Sequence, residues 1–223
     1  SSENSLVTFV DKVVNNANIA IESSGKAIFQ STFSGSGATG PGMMEIEGSL
    51  QPGSSPGRMT FGGDLLFQSG STLEIELGGV TPGTSHDQLD IANALTLNGT
   101  LNLTLINGFI PSSGMVFDLW NTTKIGGQFE SINLPSLPAG LFWNLRDLFT
   151  TGELRVTTTP ETYAAYSDFY ALTGDPDDNQ DGDLFSNLFE YLVGQDPTTP
   201  DLSSKGQLTL QQLNGNDVVS FFS

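Results

Sequence analysis

The chain has 223 residues, no cysteine, and 25 acidic against 7 basic side chains, for a net charge of -18. Without thiols there is no disulfide framework and no thiolate metal site or nucleophile. A charge of this sign and size repels the phosphate backbone of nucleic acid, and no apolar run approaches the roughly 20 residues of a membrane-spanning helix.

Taken in order, the chain opens without the basic-then-apolar order of an export leader. Val7 already lies in a strand-like pattern, so the sequence reads as a mature or trimmed form with both ends cut. Asn18 to Ile21 and Lys26 to Phe29 are short apolar runs separated by Ser23-Ser24-Gly25. Phe33 to Gly42 is rich in Gly and Ser and predicts turns, Met44 to Leu50 predicts a strand, and Pro52 to Gly57 predicts a rigid double turn.

The next part is the most regular. Met59 to Phe61, Leu65 to Phe67 and Thr72 to Leu77 are brief strands split by Gly- and Ser-bearing corners. Leu73, Ile75 and Leu77 alternate with Glu74 and Glu76, which puts the leucines and isoleucine on one face and the glutamates on the other. Leu101, Leu103 and Leu105 repeat the pattern against Asn102 and Thr104. Further strands are expected at Gln88 to Ile91, Leu95 to Leu97, Met115 to Trp120, Phe129 to Ile132, Leu141 to Leu145 and Glu153 to Val156. Short strands that cannot bury an apolar face alone can stack into a solenoid with a continuous core. A β-sandwich is the rival for the irregular half after Gly79.

Thr159-Pro160 then predicts a helix start, and the tyrosines at 163, 166 and 170 recur at helical spacing up to Gly174. Asp175 to Pro200 follows, with acidic and amide side chains at alternate positions. Calcium takes six to eight oxygen ligands, and such a loop can wrap it. Counting back from Glu190 as the closing bidentate ligand places Asn179, Asp181 and Asp183 as the first ligands, with the Phe185 carbonyl and Asn187 next. Asp177 is an outer ligand. A second frame begins at Asp177 and puts Gly182 at the sharp turn, but it leaves Leu188 where the closing carboxylate should be. The first frame is preferred because a lost carboxylate costs a ligand, whereas a non-Gly residue in a left-handed turn costs about 1–2 kcal/mol. Ser186 can cap a second helix. Gln207 to Leu210 and Val218 to Phe222 close the chain as a hairpin around Asn214-Gly215. The expected organisation is a β-rich domain over 1–158, a calcium-binding helix-loop-helix over 159–198, and the start of a further β segment over 199–223.

Few residues invite catalysis. His86, the single histidine, lies in Thr84-Ser85-His86-Asp87 after a Pro-Gly turn and reads as a turn residue; adjacency in sequence does not make a triad. Glu45/Glu47 and Glu74/Glu76 each share one face of a strand and read as its solvated side, although such a pair could flank a sugar bond. Trp120 and Trp143 could stack on sugars, but their strand-like surroundings favour the core.

The stretch GSLQPGSSPGRMTFGGDLLFQSGSTLEIELGG, with DQLDIANALTLNGTLNLTLINGFIPSSGMVFDLW, GGQFESINLPSLPAGLFWN and TGELRV after it, resembles bacterial autotransporter-like and PEP-CTERM-type surface proteins. The resemblance covers about Asn15 to Val156 and implies an exported, extracellular right-handed parallel β-helix at the bacterial cell surface. DPDDNQDGDLFSNLFEYLVGQDP is similar to the dockerin-like, EF-hand-like calcium segments of exported bacterial proteins. In those the position of Leu184 is usually Gly, and two loops are used where this chain has one, so docking to a cohesin is not implied. The combined expectation is a non-enzymatic structural or adhesive surface protein with a Ca2+-stabilised junction, possible self-assembly into homo-oligomers or fibres, and a surface polysaccharide as a further partner. A carbohydrate-binding or polysaccharide-cleaving module is the alternative.

Overall fold

The computed structural model describes residues 5–53, 55–158, 167, 172–175, 178–180, 182, 187, and the strands over 207–213 and 216–222. The chain divides into two compact units, Ser1–Pro160 and Glu161–Ser223.

The first unit is a stack of coils, each made of three short strands. The first coil is β1 (Leu6–Phe9), β2 (Val13–Val14) and β3 (Asn18–Ile19). The second is β4 (Lys26–Phe29), β5 (Thr32–Gly35) and β6 (Ala38–Thr39). The third is β7 (Met43–Ile46), β8 (Ser49–Pro52) and β9 (Arg58–Phe61), and the fourth β10 (Leu65–Phe67), β11 (Thr72–Leu77) and β12 (Gln88–Ile91). The fifth holds β13 (Ala94–Leu97) and β14 (Thr100–Leu105), an interposed β15 (Val116–Asp118), and β16 (Trp120–Asn121). After β17 (Lys124–Gly127) and β18 (Ser131–Asn133) come β19 (Phe142–Asn144) and β20 (Glu153–Thr157).

Every third strand pairs in parallel with the strand one coil earlier. The first sheet runs β1-β4-β7-β10-β13-β17, the second β2-β5-β8-β11-β14-β18 and the third β3-β6-β9-β12-β16. This is the topology of a parallel β-helix, and it decides against the sandwich. β15, β20 and β19 form a separate antiparallel sheet, which is the irregularity visible in the sequence after Gly79.

Register turns the sequence alternation into ladders. In the second sheet Val13, Phe33, Leu50, Leu73, Leu101 and Ile132 stand one above another. In the first sheet Phe9, Phe29, Ile46 and Phe67 do the same. Phe9 stacks on Phe29 at 4.7 Å between ring centroids, and Phe29 on Phe33 at 4.1 Å. From Phe29 to Leu101 these inward side chains are fully buried, and each removes about 1.5–3 kcal/mol worth of apolar surface from water. A single coil has no such core, so its strands exist only as members of the stack.

Two local expectations are corrected. Phe33 to Gly42 is not a run of turns: it carries most of β5 and all of β6, and its glycines mark the corners before and after β6. Met44 to Leu50 is not one strand but parts of β7 and β8, bent at Glu47-Gly48. The physical reason is the same in both cases. A coil of about 20 residues has to turn three times, so apolar runs stop after a few residues wherever the chain changes sheet.

The expectation that residues up to Val156 are β with almost no helix agrees with the described residues, none of which is helical before Thr159. In the second unit β21 (Gln207–Leu213) pairs antiparallel with β22 (Asn216–Phe222), forming the expected hairpin. The helix start at Thr159-Pro160 and most of the acidic loop lie outside the described residues.

Candidate functional site

The coils do not grow evenly. Leu6 pairs with Lys26 and Lys26 with Met43, but Leu65 pairs with Leu95 and Leu95 with Ile125, so a coil lengthens from about 20 residues to about 30. The added residues enter mainly at one corner, where the chain passes from the second sheet to the third. In the second coil that corner is only Ser36 and Gly37; in the fourth it runs from Gly78 to Asp87.

These stacked insertions wall a groove of about 400 Å³ on the outer face of β11. Glu74, Glu76 and Thr104 line its floor, Ser34 and Gln51 one side, and Pro52, Gly53 and Ser55 its rim. Among the described residues no lysine or arginine lines it. The outward side chains continue as a polar ladder along the second sheet. Asn102 donates Nδ2–H to Glu74 Oε1 at 2.9 Å, and Asn133 donates Nδ2–H to Asn102 Oδ1 at 2.7 Å.

The groove is held in shape by polar groups that the sequence does not advertise. His86, Asp87 and Gln88 are all essentially solvent-free. Asp87 accepts from the Gly57 N–H at Oδ1 (2.7 Å) and from the Glu76 N–H at Oδ2 (2.8 Å), so one carboxyl ties the rim of the third coil to the floor strand of the fourth. Burial pushes this carboxyl up to about 7, against the two N–H donors that favour its charged form. Gly53 closes the same rim turn: it sits at φ +84°, and a Cβ there would lie 2.3 Å from the Gly57 nitrogen.

His86 ends the turn, as the sequence reading expects, but it is buried beneath the corner, with Nδ1 3.0 Å from the Gly79 carbonyl and Nε2 3.1 Å from the Asp118 carbonyl. Burial lowers its pKa, and the two carbonyls oppose that shift. Its ring meets Phe117 edge-on at 5.6 Å. Gln88 donates to the Asp118 carboxylate at 2.7 Å, and burial raises Asp118 as well. No base and nucleophile come together here: His86 faces two backbone carbonyls.

The other sequence candidates separate. Glu45 is corrected, since it is buried rather than solvated: Gln68 donates to it at 2.8 Å and Lys26 forms an ion pair with it. Trp120 is fully buried and cannot offer a face to a sugar. Trp143 is half-buried, its Nε1–H donating to the Pro135 carbonyl at 2.8 Å.

Of the residues expected to hold calcium, Asn179 and Asn187 are described. Asn179 Oδ1 accepts from the Gly182 N–H at 2.7 Å, and the buried Asn187 accepts from the Gln180 N–H at 3.2 Å. Gly182 has φ +78°, the left-handed turn required by the frame that starts at Asp177. Asp177, Asp181, Asp183, Phe185 and Glu190 lie outside the described residues. Among the described residues no group of three or more acidic or histidine side chains is placed to hold a metal ion.

The groove residues were legible only in part. Alternation predicts Glu74 and Glu76 on one face. The partner across the corner, Asp87, leaves one trace: the long spacing from Leu77 to Leu89 where earlier strands are separated by only a few residues.

Among the described residues no helix is long and apolar enough to cross a membrane. No protein-family profile matches the chain, and no solved structure matches it. Over 60 residues, 26% of the chain, it is 40% identical to the adhesin BmaC autotransporter of Brucella suis biovar 1 (strain 1330), and the matched stretch spans 2% of that protein's length.

Proposed function

We propose that this chain is a non-enzymatic adhesive segment of an extracellular protein at a bacterial cell surface, and that the groove over β11 is its contact site. The observation that carries this is a rigid parallel stack with a polar, cation-free groove at its one irregular corner. The similarity to an autotransporter adhesin supports the same reading. Its coils are right-handed, the hand that crossovers between parallel neighbours in one sheet take.

Glu74 and Glu76 accept hydrogen bonds, while Gln51 and Thr104 both donate and accept. The groove therefore fits a hydroxyl-rich, uncharged or cationic polysaccharide and disfavours uronates. Binding of a panel of neutral, amino and uronic glycans to the wild type and to a Glu74→Gln/Glu76→Gln variant tests this. Neutral or amino glycans should bind and lose affinity in the variant. Uronate binding, or binding unaffected by the variant, would reject the groove.

The acidic loop is read as a Ca2+ site formed by Asn179, Asp181, Asp183 and Glu190, with the Phe185 carbonyl, Asn187 and outer Asp177. The support is the alternate spacing of oxygen-bearing side chains. Calorimetry of wild type and Glu190→Ala should show calcium binding that weakens in the variant; equal affinity rejects Glu190 as the closing ligand. End-to-end assembly of copies into fibres is a further reading, supported by the general tendency of a stacked coil to leave backbone donors and acceptors open at an end that no cap covers. Light scattering with calcium and then chelator should show calcium-dependent growth, and a monomer in both removes it.

A further inference from the structure

The groove's rim and floor meet at Asp87: beside the main-chain bonds from Gln88 N–H to the Gly57 carbonyl (3.0 Å) and from Asp87 N–H to the Glu76 carbonyl (3.0 Å), one buried carboxyl joins them. The Gly57 N–H and the Glu76 N–H each donate to a different oxygen of Asp87, at 2.7 and 2.8 Å. A carboxylate can accept both bonds at full strength. A carboxylic acid cannot, because one oxygen now carries a hydrogen and becomes a poor acceptor facing a donor. Ionisation of this one group therefore decides whether the main-chain bonds between these segments of successive coils are reinforced by two side-chain ties or by one.

We propose that Asp87 is a proton-operated brace of the groove: as carboxylate it ties the rim turn ending at Gly57 to β11, and on taking a proton from solvent it releases one of the two ties and loosens the groove wall. Its surroundings make the change reachable near neutral pH. Burial drives the carboxyl up to about 7, and the neighbouring Glu76 carboxylate pushes in the same direction. The corner presents further charges from each element packed around it. Asp118 on β15 lies beside His86 and Gln88, Glu153 on β20 and Asp90 on β12 act on Asp118, and Arg58 on β9 pairs with Asp90 at 3.2 Å. Arg58 spends its charge on Asp90, on the third sheet, and not on Asp87. His86 is the other titratable group inside the corner, but its contacts are to the Gly79 and Asp118 carbonyls and not to the rim. The two groups thus act on different segments, and their titrations can be told apart.

The brace does not depend on what the groove holds. Asp87 also has no role as acid or nucleophile, since both its oxygens face backbone donors. It is a positioning residue whose state shapes the floor beneath Glu76.

Nuclear magnetic resonance on the labelled full chain tests the proposal. The Asp87 carboxyl carbon should titrate in a single step near pH 7, and the amide protons of Gly57 and Glu76 should move with the same midpoint. Hydrogen exchange at one or both amides, corrected for its intrinsic pH dependence, should be about tenfold faster at pH 6 than at pH 8, as expected for the loss of one hydrogen bond. In Asp87→Asn the amide step should vanish; in His86→Gln it should persist. An Asp87 carboxyl that stays ionised down to pH 5 overturns the proposal, as does an amide step that survives in Asp87→Asn or disappears in His86→Gln. The carboxyl titration of the wild type decides the matter alone should either variant fail to fold.

Discussion

Two corners of the same coil have taken opposite courses. Between the first and second sheets the chain turns in two to four residues, and the turns stack backbone on backbone: Thr72 N–H donates to the Gly48 carbonyl at 2.9 Å, and Thr100 N–H to the Ser71 carbonyl at 2.8 Å. Between the second and third sheets the turns grow from the second coil onward and enclose His86, Asp87 and Gln88. The tight corner leaves little room for side-chain chemistry, because its backbone donors go mainly to the neighbouring coil. The long corner has backbone groups with no coil above to match them, and buried side chains satisfy them instead. Potential for ligand contact and for titration therefore collects where the repeat is broken.

The contrast can be broken most severely from below, in the ladders on which both corners rest. Phe33→Ala should cost about 3–5 kcal/mol, since Phe33 is fully buried between Val13 and Leu50 in its ladder, with the Phe29 ring against it, and the cavity cannot close without shifting a coil. Chemical denaturation should show the loss as a lower midpoint with an unchanged slope.

Next comes the tight corner itself. Gly99 has φ +66°, and a Cβ would lie 2.2 Å from the Ser71 carbonyl oxygen. Gly99→Ala should cost about 2–3 kcal/mol from left-handed strain and overpacking together. The control is Gly70→Ala. Gly70 also has positive φ (+78°), but nothing lies within 4 Å of its added Cβ, so only the conformational cost of about 1 kcal/mol should appear. Equal losses at both positions would mean that close stacking is not what shapes this corner.

A smaller effect separates the long corner by pH. Asp87 is raised on folding from 3.8 to about 7, so the folded state holds its proton more tightly than the unfolded chain. Its contribution to stability is full below the ordinary carboxylate range and is lost as pH rises through about 7. Moving from pH 8 to pH 6 should then stabilise the wild type by about 1.4 kcal/mol more than Asp87→Asn. The comparison with the variant removes the general relief of a -18 charge by acid, which both proteins share. His86 works in the other direction. Burial lowers its pKa, so the stability that comes from keeping it neutral is lost below its ordinary value of 6.5 as pH falls through the folded one. Thermal melts of wild type and variant across this range read the difference. A parallel pair of curves would remove Asp87 as the titrating group.

The smallest change is at the groove surface. Glu76→Gln leaves the Glu76 backbone N–H on Asp87 and alters only a half-exposed side chain, so stability should stay within about 0.5 kcal/mol. Any larger loss would show that the floor of the groove is structural and not reserved for a ligand.

Much of the stack was legible from local pattern. Alternation placed Leu73, Ile75, Leu77, Leu101 and Leu103 inward and Glu74 and Glu76 outward, because a strand side chain has only two directions to point. Short apolar runs with Gly-bearing breaks were enough to favour stacked coils. The same local logic failed for β5, β6 and β17, whose strands are mostly small or polar residues that become strands through pairing, β5 and β6 with a coil on either side and β17 with β13.

What the sequence determined by itself was the β class, the inward face of each regular strand and the separate acidic segment near the end, since these follow from residue type and spacing along a few neighbouring positions. Only the tertiary structure decided that every third strand is a neighbour, that Glu45 is buried beside Lys26, and that Asp87 meets Gly57 thirty residues away in the chain. Those pairings depend on how many residues each corner consumes. Corner length sets which side chains stand above one another, and no local pattern encodes that sum.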